Sequence, residues 1–306
     1  GVTRFGTLSD LASRIALRTN DGADARFELR DGKWQMVAPL AFPADPGLAR
    51  MVEALVAMTK EKTFDQPQPD ADYGLDDAKA KIVRFAFELA RRLATSVRSA
   101  RTAGHFPLVL GGNCNTAVGT LSGLTPARRA TFWFDAHGDC NTPETTTSGF
   151  LDGMGLAMTI GLCWHHLEAT VPGFQPVAAE ATFLLGARDL DPPEAALLQG
   201  SAITAIPVGQ IPEGLPGLLA RAPLADTLGY LHLDVDVLDP AIGHANYLPA
   251  PNGLSLPHLI AAIAAVRARV PLGAAAITSY SPEDDHDQGV CRAAFAAIDA
   301  IVANGA

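Results

Sequence analysis

The chain has 306 residues, 48% hydrophobic and 18% charged, a balance that excludes a disordered or fibrous protein and suffices for one large α/β domain. Its formal net charge of −10 argues against nucleic acid and anionic membrane as partners, and no apolar run approaches the ~20 residues that span a bilayer. Residues 1–19 hold no apolar stretch of signal-peptide length, and the four cysteines, Cys114, Cys140, Cys163 and Cys291, form no CxxC pair, so the expectation is a soluble, cytoplasmic protein.

In chain order, residues 47–58 read as a short amphipathic helix and the polar stretch 60–76 as a surface connection. Asp77–Thr102 carries Ile82, Phe85, Phe87, Leu89 and Leu93 at helical spacing. Beyond it, strand candidates Phe106–Leu110, Ala130–Phe134, Thr182–Leu185, Gly229–Leu233 and Ala274–Ile277 alternate with helix candidates. The latter are Asn115–Leu121, Gly149–Leu162, Pro192–Leu198, Leu256–Val266 and Arg292–Val302. This rhythm predicts a parallel sheet covered on both faces. No internal repeat and no boundary within 100–306 is visible, so the chain reads as one domain: a divergent part, 1–105, and a motif-bearing core, 106–306.

Polar motifs directly follow the strand candidates: GGNCN, DAHGD, GARDLD, DVDVLDP and TSYSP. Open parallel sheets bind ligands at the carboxyl ends of their strands, so these loops converge on one rim. In Asp135-Ala136-His137-Gly138-Asp139 the alternate residues of an extended segment face one target. Asp234-Val235-Asp236 presents two more carboxylates after Tyr230–Leu233. An Asp-x-Asp after a strand is by itself an ordinary loop or helix cap. Buried together, these groups cost several kcal/mol unless a cation or proton compensates, and five ligands from two strands suit a pair of metals.

The segments DAHGDCNTPETTTSG, GARDLDPPE and DVDVLDP resemble the arginase/agmatinase (ureohydrolase) family, across roughly residues 106–285. The resemblance implies a three-layer α/β/α fold with a mostly parallel central sheet, assembled as a trimer or hexamer. It also implies two divalent ions, Mn2+ in the family, bridged by a hydroxide that attacks a guanidine carbon. By the same resemblance Asp135 and Asp234 bridge both metals, Asp139 completes one shell, and His137 and Asp236 complete the other. Asn141 and Ser148 would hold a substrate α-carboxylate and Asp191 the α-amino group, which points to a small guanidino amino acid rather than agmatine.

Three positions depart from the family pattern. Cys114 stands where a metal-binding His is expected, Asp152 where a His lies near the substrate, and Ser279 where a Glu pairs with the guanidinium. A Cys114 thiolate suits Zn2+ or Ni2+ better than Mn2+; the alternative is a buried structural Cys. A cysteine here also resembles the N-hydroxyarginine amidinohydrolase branch. Without the Glu, a permanently charged guanidinium loses its partner. Either a less basic N-hydroxyguanidine is the substrate or Asp152 supplies the charge. With the usual His gone, Asp139 is expected to relay the proton.

Elsewhere, Arg188 and Asp189 read as an ion pair, Glu283 and Asp285 as solvated with reaching into the site as the alternative, His165 and His166 as surface or packing residues, and Cys140 as pointing away from the metals. His244, Asn246 and Tyr247 lie in a loop on the ligand side. The expectation is a metal-dependent hydrolase of N-hydroxyarginine or arginine. The alternatives are a non-catalytic or regulatory homologue with an altered site, and a hydrolase of another linear amidine.

Overall fold

The computed structural model describes the backbone of residues 14–18, 24–30, 33–36 and 77–303, and the side chains of 82–303 except Pro212. The expected helix at 47–58 and connection at 60–76 lie outside the described residues. Two compact units divide the chain, residues 1–81 and 82–306. In the first, β1 (Arg14–Arg18), β2 (Asp24–Arg30) and β3 (Lys33–Met36) form an antiparallel meander, with Ile15 opposite Phe27 and Phe27 opposite Met36.

After α1 (Asp77–Thr102), the second unit is built on six strands: β4 (Leu108–Leu110), β5 (Arg129–Phe134), β6 (Thr182–Leu185), β7 (Thr204–Ile206), β8 (Leu228–Asp234) and β9 (Leu272–Thr278). They lie in the order β4-β9-β8-β5-β6-β7 and every neighbouring pair is parallel. The helices α2 (Thr116–Gly123), α3 (Gly155–Thr159), α4 (His165–Glu168), α5 (Pro192–Gly200), α6 (Ile211–Arg221), α7 (Leu256–Arg269) and α8 (Gly289–Val302) flank this sheet. Burial on both faces explains the continuous apolar runs: every residue of β5 and β6 is buried. All five expected strands and the mostly parallel central sheet are present.

The register positions the site. Phe134 pairs with Leu233, Asp234 with Thr278, and Leu110 with Ile277. The loops after β4, β9, β8 and β5 therefore leave four adjacent strands at one height.

Several elements escaped the sequence pattern, among them β1–β3, α4, β7 and α6. β7 has three residues, too few to show a period. α6 contains Pro212, Gly214, Pro216 and Gly217, residues that argue against a helix, although Pro212 falls in its first turn, where its missing N–H has no helical partner. The expected helix across Gly149–Leu162 shrinks to a 3-10 turn at Asp152–Met154 and α3. Gly149, at φ 70°, starts that departure, and Gly155 lets the chain pass close to the site, as shown below.

α2 begins two residues after Cys114 and is held against α1 by glycine contact. A Cβ on Gly119 would lie 2.7 Å from the Ala90 carbonyl oxygen, and one on Gly123 would lie 2.5 Å from Val97 Cβ. Gly119→Ala is therefore expected to force the helices apart, at about 1–3 kcal/mol. That corresponds to a melting temperature lower by several degrees in thermal unfolding followed by circular dichroism. An unchanged midpoint would contradict this contact.

Candidate metal centre

Asp135 follows β5 and Asp234 ends β8, so their backbones are neighbours in the sheet. Asp135 Oδ1 accepts the His137 backbone N–H at 2.7 Å, and Oδ2 accepts the Trp133 indole N–H at 2.9 Å. Asp234 Oδ1 accepts the Asp236 backbone N–H at 3.0 Å, and Oδ2 lies 3.1 Å from Cys114 Sγ. Asp236 Oδ1 accepts the Ala136 N–H at 3.1 Å, tying the β8 loop to the β5 loop. Its Oδ2 faces His137 Nδ1 at 3.2 Å and accepts from Asn246 Nδ2 at 3.3 Å. His137 Nδ1 is also 3.4 Å from Asp135 Oδ1.

Asp139 adopts a left-handed backbone, φ 48°. Its Oδ2 is buried with no hydrogen-bond partner among the described residues. A Cβ built on Gly155 would lie 3.1 Å from Cys114 Cβ, 3.2 Å from Asp139 Oδ2 and 3.2 Å from the Trp133 ring. The orphan oxygen and Cys114 therefore both line the space against Gly155, where only glycine fits.

Burial and mutual repulsion disturb every acid here. Burial, then Asp236, pushes Asp135 up to about 6. Burial, together with neighbouring carboxylates, raises Asp139 and Asp234 well above the ordinary range. Burial also works against Asp236, but the His137 contact outweighs it and holds that carboxyl low. His137, despite its own desolvation, is pushed up to about 12 by Asp135 and Asp236. Cys114 rises through burial and the adjacent Asp152.

This much buried negative charge around one imidazolium is what divalent cations relieve. Two groups of ligand atoms, each within 4.8 Å of one another, are available: Asp135 with His137 and Asp236, and Asp135 with Cys114 and His232. They share Asp135. Together with the orphan oxygen of Asp139, the residues present fit a pair of cations.

His232 was missed in the sequence because Gly229–Leu233 reads as an apolar run. The signal was there: counting back by two from Asp234 puts His232 and Tyr230 on the same side of the strand. Trp133 stands in the same relation to Asp135. His232 is fully buried, stacks on Trp133 at 3.7 Å between ring centres, and is driven down to about 3 by burial, hence neutral.

The other expected residues fall out as follows. Asp152 is spent on the β4 loop: Oδ1 accepts the Cys114 N–H at 2.6 Å and Oδ2 accepts Asn113 Nδ2 at 3.0 Å. Ser279, at φ 64°, lies 3.6 Å from Cys114 Sγ, and its hydroxyl donates to Asp234. Asn141 Nδ2 donates to Asp191 Oδ2 at 2.9 Å. Asp191 also caps α5 in a reciprocal box with Glu194. Ser148 is exposed and accepts the Phe150 N–H at 3.1 Å. Asn246 joins the site through Asp236, while His244 and Tyr247 are exposed. His165 and His166 are exposed, and Cys140 is buried.

Two expectations are corrected. Arg188 is a clasp rather than the partner of Asp189: its guanidinium donates to the carbonyls of Gly186, Asp236, Val237, Leu238, Ala250 and Pro251. Asp285 is buried rather than solvated, accepting from Tyr280 Oη and from the N–H groups of Val290 and Cys291 at the start of α8.

A parallel α/β sheet whose carboxyl rim gathers two overlapping groups of possible metal ligands defines the class of fold and site. The comparisons narrow that class. The model described as "Arginase family" matches residues 46–303, and the chain belongs to that family. It is 31% identical over 191 residues to the arginase of Bacillus caldovelox, across 58% of this chain and 62% of that one. It is 32% identical over 190 residues to the arginase of Neurospora crassa, across 58% and 53%. The matches thus span little more than half of these relatives' length. The solved structure of the B. caldovelox arginase superposes with a TM-score of 0.66 at 28% identity, covering 72% of this chain and 76% of that one. Among the described residues no helix is long and apolar enough to cross a membrane.

The electrostatics give a pH prediction for the metal-free protein. Asp135 is raised from 3.8 to about 6, so the folded state holds its proton more tightly and stability falls as pH climbs through that window. His137 is raised from 6.5 to about 12, so its contribution is full below 6.5 and is lost as pH rises toward 12. The lowered Asp236 acts in the opposite sense, but only below its ordinary value of 3.8. The metal-free melting temperature is therefore expected to fall between about pH 6 and 9, and added Mn2+ to raise it more at the alkaline end. Thermal-shift curves with and without metal check this; a metal-free midpoint rising with pH would contradict it.

Proposed function

We propose that this chain is a two-metal amidinohydrolase cleaving the guanidine of an arginine-like α-amino acid, N-hydroxyarginine ahead of arginine. The observation that carries the reading is the sharing of Asp135 between two ligand groups on one rim. Asp135 and Asp234 would serve both ions, Cys114 and Asp139 one of them, and His137 and Asp236 the other. The oxygen-rich set suits Mn2+, with Zn2+ or Ni2+ the alternative where the thiolate binds. When bound, the ions lower the pKa of water toward neutrality and supply the nucleophile.

In the net reaction water adds to the guanidine carbon, the C–N bond to the side chain breaks, and the departing amine takes a proton. N-Hydroxyarginine would give ornithine and hydroxyurea; arginine would give ornithine and urea. Asp139 Oδ2 is the atom suited to hold that proton, since burial beside Asp135, Asp152 and Asp234 raises its proton affinity. Trp133 and Asn246 keep Asp135 and Asp236 aimed. Asn141, Ser148 and Asp191 would take the α-amino-acid end, with the Asn141–Asp191 hydrogen bond presetting two of the three.

Substrate preference rests on charge. Ser279 brings no carboxylate, and both oxygens of Asp152 are occupied by Asn113 and Cys114. A guanidinium that stays ionised is costly to bury without a facing acid; a less basic N-hydroxyguanidine, neutral or weakly charged, tolerates Ser279 better. The reading includes a cytoplasmic setting, in keeping with four unpaired cysteines, and the trimer or hexamer that the family resemblance implies.

Two assays test it. Metal-loaded protein incubated with N-hydroxyarginine, arginine and agmatine is expected to release ornithine, with the largest kcat/KM on N-hydroxyarginine. Absence of amine release from every guanidine, with metal verified as bound, sinks the proposal. Asp139→Asn is expected to lower kcat by roughly 10²–10⁴-fold, the usual worth of a positioned acid–base group. An Asp139→Asn variant turning over at the parental rate would remove that residue from the proton path.

A further inference from the structure

We infer that His232 is a metal ligand, and that with Cys114 and Asp135 it makes one of the two positions a sulfur–nitrogen–oxygen site selecting Zn2+ or a similar borderline ion, while the other position takes Mn2+. The inference rests on the two-metal reading above and adds a ligand to it.

The geometry points there on three grounds. Sγ of Cys114, a carboxylate oxygen of Asp135 and a ring nitrogen of His232 lie within 4.8 Å of one another, and all three side chains are buried. Asp234 Oδ2 lies 3.1 Å from Cys114 Sγ. A further oxygen is therefore beside the group, and four is the coordination number of a tetrahedral zinc site.

The third ground is the orientation of the ring. His232 Nδ1 is engaged by Tyr230 Oη at 2.9 Å, which leaves Nε2 as the nitrogen turned toward Thr278. A ligating imidazole is usually oriented in this way, by a hydrogen bond on its other nitrogen. On the Nε2 side lies Thr278 Oγ1 at 3.3 Å, whose single hydrogen is contested by the Leu233 carbonyl at 3.4 Å and Cys114 Sγ at 3.5 Å. Nε2 has no strong claim on that hydrogen and is available to a cation.

The ligand types differ between the positions. Asp135, His137 and Asp236 offer two hard carboxylates to one imidazole, whereas Cys114, His232 and Asp135 offer thiolate, imidazole and one carboxylate. Soft and borderline donors shift preference toward Zn2+ and Co2+ and away from Mn2+.

The test compares the full chain with His232→Ala, His232→Phe and Cys114→Ala. The Phe variant keeps an aromatic ring on Trp133 and guards against simple loss of packing. Each protein is stripped of metal, confirmed folded by circular dichroism, and titrated separately with Zn2+, Co2+ and Mn2+. The parent is expected to bind one Zn2+ with a single sulfur neighbour at about 2.3 Å in X-ray absorption, and its Co2+ form to show a thiolate charge-transfer band. Both His232 variants should lose at least about a hundredfold in Zn2+ affinity and shift the Co2+ d–d bands, with Mn2+ binding within about threefold of the parent; Cys114→Ala should lose the charge-transfer band. Unchanged Zn2+ affinity in both His232 variants, or a parent without sulfur coordination, overturns the inference. Turnover is read apart: no hydrolysis with the sulfur–imidazole site intact removes the amidinohydrolase reading and leaves this one standing.

Discussion

The second unit depends on one electrostatic constraint: carboxylates delivered by two central, adjacent strands into space that water scarcely reaches. Asp135, Asp139, Asp234 and Asp236 are all buried, and a buried acid is tolerated only when protonated, hydrogen-bonded or facing a cation. The chain supplies the second remedy wherever a backbone N–H is near, at His137, Ala136 and Asp236. Among the described residues none partners Asp139 Oδ2. The residual charge is thus concentrated where the two ligand groups meet, and the fold places that point at the carboxyl rim rather than inside the sheet.

Holding such a cluster open requires rigid loops, and the polar residues that bear on them are mostly engaged with backbone. Arg188 gathers six carbonyls, five from the segments around Asp236 and Ala250 and one from Gly186. Glu194 accepts from Cys140 and Asp191, anchoring the end of the DAHGD segment to the start of α5. Asp152 closes the β4 loop over Cys114. A carbonyl in an irregular loop cannot be left dry without cost, so each of these side chains both satisfies backbone and fixes a ligand. Pairing Arg188 with Asp189 would have left those carbonyls without donors, which is why the backbone wins the guanidinium.

The division between what was legible in the sequence and what was not follows the range of each signal. Strands β5, β6, β8 and β9 are short apolar runs buried on both faces, and their carboxyl ends carry the polar motifs; both features are local and both were readable. The pairing order β4-β9-β8-β5 is non-local, and so was the fact that Cys114 and Thr278 would meet. His232 was hidden because a histidine inside an apolar strand looks like packing until Asp234 is used to set the face. Asp285 was hidden because its burial depends on the N-terminus of α8 returning to it, which no spacing within SPEDD reveals. The 47–58 and 60–76 segments fall outside the described residues.

The three departures from the family pattern are not scattered. Asp152 binds the Cys114 backbone at 2.6 Å, and Cys114 Sγ lies 3.6 Å from Ser279 Oγ. They form one contact group on one flank of the cluster, while the opposite flank, His137 with Asp135 and Asp236, matches the pattern the resemblance implies. Random loss of function has no reason to respect such a boundary, because any ligand will do for disabling a site. A coordinated change does: Cys114 touches both Asp152 and Ser279, so a substitution at any one of the three alters the surroundings of the others, and that mutual contact favours a rebuilt site over a decayed one.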